Sequence, residues 1–133
     1  MSKNQGDMAE VAFTLECLKR GYSISEPVGD NQKYDRIVDV KGRLLKIQIK
    51  SCSRTLKSRT KNPCWRFTTG HGQKSKSRYL LSDVDVFALY IIEKDLWVII
   101  PNDNLGNRVG LCIFESKVNM WSKYIDNWEP FCI

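Results

Sequence analysis

YDRIVDV, residues 34–40, and RLLKIQIKS, residues 43–51, are separated by Lys41 and Gly42 alone. Two runs of this kind across a two-residue link predict a β-hairpin, although Lys-Gly is a weaker turn pair than Asn-Gly. The short link also dictates the register. Val40 opposes Arg43, and counting outward pairs Asp39 with Leu44, Ile37 with Lys46 and Asp35 with Gln48. Directly opposed residues bring their Cβ atoms to roughly 4.5–5.5 Å. Side chains alternate along a strand, so Gln48 and Lys50 share one face while Leu45, Ile47 and Ile49 form the other. The hairpin is thus expected to gather a carboxylate, an amide oxygen and an ammonium on one side, with its packing on the other.

That grouping has a chemistry. Hard cations such as Mg²⁺ take oxygen ligands, commonly one or two carboxylates, with waters and substrate phosphate filling the remaining positions. Asp35, the Gln48 side-chain oxygen and the Ile49 main-chain carbonyl are candidate ligands. Lys50 is placed to hold an attacking water and to stabilise charge developing on a phosphate. Charge alone does not nominate Lys50, because Lys46 shares its face; the two-residue step from Gln48 does. Asp39 lies about 13 Å along the strand from Asp35 and reads as a solvated strand end.

Working outward, residues 8–20 place Met8, Val11, Ala12, Leu15 and Leu18 at helical spacing, with Gly21 to end the helix. A loop covers 26–33. The stretch 63–70 reads as one strand, with Trp65 and Phe67 inward and Arg66 outward, between polar basic loops at about 52–63 and 71–78. The apolar runs 85–92 and 96–100 read as adjacent buried strands, and 109–114 as a further strand. A second helix is expected near 117–127, with Trp121, Tyr124, Trp128 and Phe131 as an aromatic stripe. The order predicts an α/β (α+β) fold with a mixed sheet, in one domain over 1–133.

The net charge of +6 hides an asymmetry: residues 41–78 hold twelve of the 21 Lys and Arg and no acid, so that segment is +12 and the remainder −6. A concentrated basic block on an otherwise acidic chain points to a polyanion, because phosphate neutralisation releases condensed counterions. Arg54, Lys57, Arg59, Lys61, Arg66, Lys74, Lys76 and Arg78 are the candidate DNA-binding residues, with arginine the usual reader of guanine. Five cysteines without a CxxC pair and a single histidine argue against structural zinc and against a disulfide framework. No run approaches the roughly 18 apolar residues of a membrane span, and the polar start is unlike a secretory signal. The expected location is the cytoplasm, on the nucleoid when DNA is bound.

GDMAE at 6–10, PVGDNQKYD at 27–35 and IQIKS at 47–51 resemble the PD-(D/E)XK nuclease superfamily, in the branch of the small cyanobacterial group I intron homing endonucleases. Archaeal Holliday junction resolvases are similar in plan. The resemblance covers roughly residues 6–100. It implies a restriction-endonuclease-like core, a mixed sheet flanked by helices, with Asp35 as metal-binding aspartate, Gln48 and Lys50 as the remaining pair, and Glu10 as supporting acid and further metal ligand. It implies Mg²⁺ as cofactor, with Mn²⁺ able to substitute, and site-specific cleavage of double-stranded DNA in intron homing. Two departures stand out: Tyr34 replaces the signature proline, and Gln48 replaces a carboxylate, which removes one negative charge from the metal site. Glu10 has a plainer reading as well, since Asp7 and Glu10 are spaced like a capping box. Cutting two antiparallel strands favours a homodimer or homotetramer. A junction-resolving nuclease, an RNA nuclease and a non-catalytic DNA-binding module are the alternatives.

Overall fold

Lys41 and Gly42 both take positive φ, 52° and 90°. This is the backbone of a tight turn whose twist matches that of paired strands, and glycine at its second place makes it possible. The Gly42 amide is further held by the Asp39 carboxylate at 2.7 Å. The computed structural model describes residues 3–53, 63–72, 74–115 and 118–132. Its elements are α1 (Lys3–Lys19), β1 (Ser23–Ser25), β2 (Arg36–Val40), β3 (Arg43–Cys52), β4 (Cys64–Thr68), β5 (Gly70–His71), β6 (Ser77–Arg78), β7 (Val86–Ile91), β8 (Leu96–Pro101) and β9 (Gly110–Phe114). The hairpin register is as expected, from Val40 opposite Arg43 to Arg36 opposite Ile47.

Five strands form the main sheet in the order β1-β2-β3-β7-β8. Only β3 and β7 run parallel, which makes the sheet mixed. All six residues of β7 are buried, as its unbroken apolar sequence requires of a strand covered on both faces. On one face α1 lays Ala9, Phe13 and Cys17 against Val38, Ile47, Ala88 and Ile99. The Phe13 ring meets Trp97 edge-on at 5.4 Å. On the other face the two-stranded ribbon β4–β9 brings Trp65, Phe67, Leu111 and Ile113 onto Phe87, Leu89, Val98 and Ile100. Trp65 and Phe67 point inward and Arg66 outward, as alternation predicts.

Three expectations are corrected. The helix is real, but it buries the opposite stripe: Met8, Val11, Leu15 and Leu18 are 46–65 % exposed, and of the expected face only Ala12 packs on the core. Both stripes of α1 are apolar, so spacing alone did not choose between them; the small Ala9 and Cys17 beside Phe13 let the helix approach the sheet closely. Because α1 begins at Lys3, Asp7 lies in its interior, which removes the capping-box reading of Asp7 and Glu10.

The third correction is the helix expected at 117–127. Among the described residues α1 is the one α-helix, and the C-terminal stretch forms 3-10 turns at Ser122–Tyr124 and Glu129–Phe131. Asn119 accepts the Trp121 amide at 3.0 Å, Asn127 accepts the Glu129 amide at 3.1 Å, and such side-chain bonds compete with helix formation. Ile125 bridges to Val98 on the edge strand β8. The aromatic residues therefore separate: Trp121 joins the core under the ribbon, and Trp128 and Phe131 join the core under α1.

Candidate active site

β2 ends at Arg36, whereas β3 runs on to Cys52, so residues 48–52 have β7 on one side and no strand of β2 on the other. Asp35 occupies that open edge. Its amide donates to the Ile47 carbonyl at 2.7 Å, and its carboxylate Oδ2 accepts from the Ile49 amide at 2.8 Å. A side chain thus completes the hydrogen bonding of β3 where the neighbouring strand stops; the paired register itself ends at Arg36 opposite Ile47. The N-terminal part of α1 closes over the same edge, with Gln5 donating to the Ser51 hydroxyl at 3.1 Å.

Gln48 is buried, 8 % exposed, and Lys50 is half-buried. Burial pushes the Asp35 carboxyl up, against the opposing pull of the Ile49 amide and the Lys50 ammonium. Burial likewise pushes the Lys50 ammonium down; nearby Asp35 holds it up, and Lys76 adds to the depression. The Glu10 carboxyl is raised first by burial and next by the charge of Asp35, with the Arg36 guanidinium working the other way. The charge of Asp35 acting on Glu10 favours a cation near the two carboxylates, and the Lys50 ammonium near Asp35 opposes one.

Glu10 and Asp35 line a cleft of about 370 Å³ shared with Tyr34, Arg36 and the loop from Glu26 to Gln32. Gln48 and Lys50 stand on the β3 side, outside that lining. A larger cavity of about 520 Å³, lined by Arg43, Asp85, Tyr124 and Glu129 among others, contains none of the four candidate residues. Donor chemistry fits a hard divalent ion, which needs one or two carboxylates and otherwise takes amide, carbonyl and water oxygens. Among the described residues there is no cluster of three His, Cys, Asp or Glu side chains. Gln48 is neutral, and the acids that line the cleft are Glu10, Glu26, Asp30 and Asp35.

The candidate DNA-binding residues divide. Arg54, Lys57, Arg59 and Lys61 lie outside the described residues. Arg66, Lys74 and Lys76 are exposed, and Arg78 is half-buried in β6. Lys76 stands close enough to Lys50 to depress it, which puts this small hairpin beside the site.

Over residues 1–130 the chain matches the family model described as PD-(D/E)XK endonuclease. The chain belongs to the PD-(D/E)XK endonuclease family. Its fold is that of a bacterial homing endonuclease, I-Ssp6803I, with a TM-score of 0.83 and 27 % identity over 97 % of this chain and 91 % of that one. Comparison with curated protein sequences gives no match. The protein is a DNA endonuclease with the family's mixed α/β core, and the family's use of divalent metal agrees with the donor set.

Two neighbours of the candidate site were not singled out in the sequence. Arg36 donates to Glu10 at 3.0 Å and to the Asp35 carbonyl at 2.7 Å. Its signal was available: position 36 shares a strand face with Val38 and Val40, where alternation calls for an apolar residue. Tyr79, 8 % exposed, has its hydroxyl raised by burial and then by Asp35, and its ring contacts His71 at 4.8 Å. No spacing pattern in the sequence pointed to it.

Proposed function

We propose that the protein is a site-specific, divalent-metal-dependent endonuclease of double-stranded DNA, acting in intron homing, with Glu10, Asp35, Gln48 and Lys50 as its cutting site. The observation that carries this reading is the pairing of Asp35 with the amide of Ile49, the residue between Gln48 and Lys50, at the open edge of β3. Asp35, Glu10, the Gln48 amide oxygen and the Ile49 carbonyl would hold Mg²⁺, and Mn²⁺ in its place. The ion supplies Lewis-acid polarisation of the phosphate and a more acidic water. Lys50, already depressed by burial, orients the attacking water and stabilises negative charge on the phosphoryl oxygens. Basic side chains from 52–63 and 71–78, with Arg66, contact the DNA backbone, and arginines among them read base edges.

Two scissile phosphates require two sites, which supports a homodimer or homotetramer. The line Met8, Val11, Leu15 and Leu18, 46–65 % exposed on α1, is an apolar surface of the kind such an assembly covers. Sedimentation at working concentration tests this; a monomer on cleaved DNA contradicts it. Gln48 in place of a carboxylate favours one second reading, a DNA-binding module without activity.

The test is nicking of a supercoiled plasmid library in Mg²⁺ or EDTA by wild type and Lys50→Ala, with a four-way junction in parallel. Magnesium-dependent cleavage of linear sites, lost in Lys50→Ala, supports the reading. Preference for the junction makes the protein a resolving enzyme, and salt-dependent binding with no cleavage makes it a binding module.

A further inference from the structure

Arg36 stands on the face of β2 that Val38 and Val40 bury against the core under α1, and its side chain is only 13 % exposed. A guanidinium at an apolar position costs desolvation that is offset only when its donors are satisfied. Here they are: Nη1 donates to Glu10 Oε1 at 3.0 Å and to the Asp35 carbonyl at 2.7 Å. Nε donates to the Thr14 hydroxyl at 3.2 Å, and Nη2 pairs with Glu26 at 3.2 Å. One planar fork therefore joins α1, Asp35 just before β2, and the loop that lines the cleft.

We propose that Arg36 is a positioning residue of this endonuclease, tethering the Glu10 carboxylate on α1 to the Asp35 main chain so that both acids of the site meet a divalent ion already in place. The inference rests on the metal-dependent reading above. The geometry requires arginine specifically. Lysine keeps the charge at this position but presents one ammonium without the fork, so it cannot hold Glu10, Thr14, Glu26 and the Asp35 carbonyl together. Methionine keeps the stem's volume and suits the apolar face. Removing one partner of a buried ion pair leaves the other charge unpaired and costs stability, a cost softened here by the partial exposure of Glu10 and the exposure of Glu26. The two variants thus separate charge, tether and packing.

The experiment measures Mn²⁺ binding by electron paramagnetic resonance, plasmid nicking at saturating Mn²⁺, and Tm, for wild type, Arg36→Lys and Arg36→Met. Arg36→Lys is expected to weaken Mn²⁺ binding about tenfold and to slow nicking about 10- to 100-fold, the range seen when a partner behind a metal ligand is lost. Arg36→Met is expected to slow nicking comparably and to lower Tm moderately, because Glu10 loses its partner. An Arg36→Lys protein with wild-type Mn²⁺ affinity and rate overturns the proposal. So does an Arg36→Met protein that cuts at the wild-type rate, which decides the matter should Arg36→Lys fail to fold. If wild type itself neither binds Mn²⁺ nor cuts, the endonuclease reading fails and the tether with it. A cutting wild type beside an equally fast Arg36→Lys removes the tether alone.

Discussion

The β2–β3 hairpin and the β7–β8 hairpin sit in one sheet, joined by the parallel pairing of β3 with β7, yet they use burial in opposite ways. β7 and β8 bury apolar side chains almost without exception. On β3, Lys50 lies beside Leu89 of β7 in the register, and Gln48 beside Phe87, so polar groups occupy rows that their neighbours fill with hydrophobes. Burial shifts Asp35 and Lys50 toward their neutral forms. One hairpin is built for stability, and the other holds groups that folding alone would disfavour, which is where chemistry is expected.

The largest expected effect on activity separates the two hairpins directly. Lys50→Met, which keeps the stem and removes the ammonium, should lower the cleavage rate roughly 10²–10³-fold, as losing one stabilising group at a reacting centre does. Its Tm at neutral pH should rise. A depressed lysine stabilises the fold only above its ordinary value of 10.5, and that contribution is lost as pH falls through the lowered folded value, so the charged form is a cost at pH 7. Calorimetry beside the nicking assay checks both. Ile99→Ala in β8 should do the reverse, costing about 2–5 kcal/mol of stability by opening a cavity while leaving the cleavage rate unchanged below its Tm. Urea unfolding measures the cost.

Smaller effects sharpen the same contrast. Gln48→Glu adds a carboxylate to the two proposed to hold the ion, so the Mg²⁺ concentration for half-maximal cleavage should fall several-fold, while stability without metal drops because the new charge is buried. A magnesium titration of both proteins tests it. The smallest effect is in pH. Glu10 and Asp35 are both raised, so cleavage should be lost as pH falls through values above the ordinary carboxylate range. Metal-free stability runs the other way. It is full below the ordinary carboxylate values and declines as pH rises through the raised ones. A pH–rate profile beside Tm against pH reveals the opposite slopes.

How much of this was legible follows from the range of the interactions. The β2–β3 register was readable because a two-residue turn and a period of two leave no freedom, and it holds as far as Arg36 opposite Ile47; beyond it Asp35 bonds Ile47 and Ile49 in a way the count did not foresee. The buried strands β7 and β8 were readable as apolar runs. The face of α1 was not, because Met8, Val11, Leu15 and Leu18 match helical spacing as well as Ala9, Phe13 and Cys17 do, and only the shape of the sheet surface decides. The C-terminal aromatics had helical spacing but not helical hydrogen bonding: Asn119, Asn127 and the bridge to Val98 hold that chain along the sheet edge. Glu10 was reached through family resemblance rather than geometry, and Arg36, which holds it, was missed although its strand position was out of pattern.

The most direct test of the central claim, that the charges buried at the open edge of β3 serve cleavage at the expense of folding, is Asp35→Asn assayed for Tm and magnesium-dependent nicking in one preparation. Asparagine keeps the oxygen that accepts the Ile49 amide and removes the charge that burial disfavours. The account predicts a higher Tm at neutral pH together with loss of cleavage. Retained cleavage, or a lower Tm with cleavage lost, would contradict it.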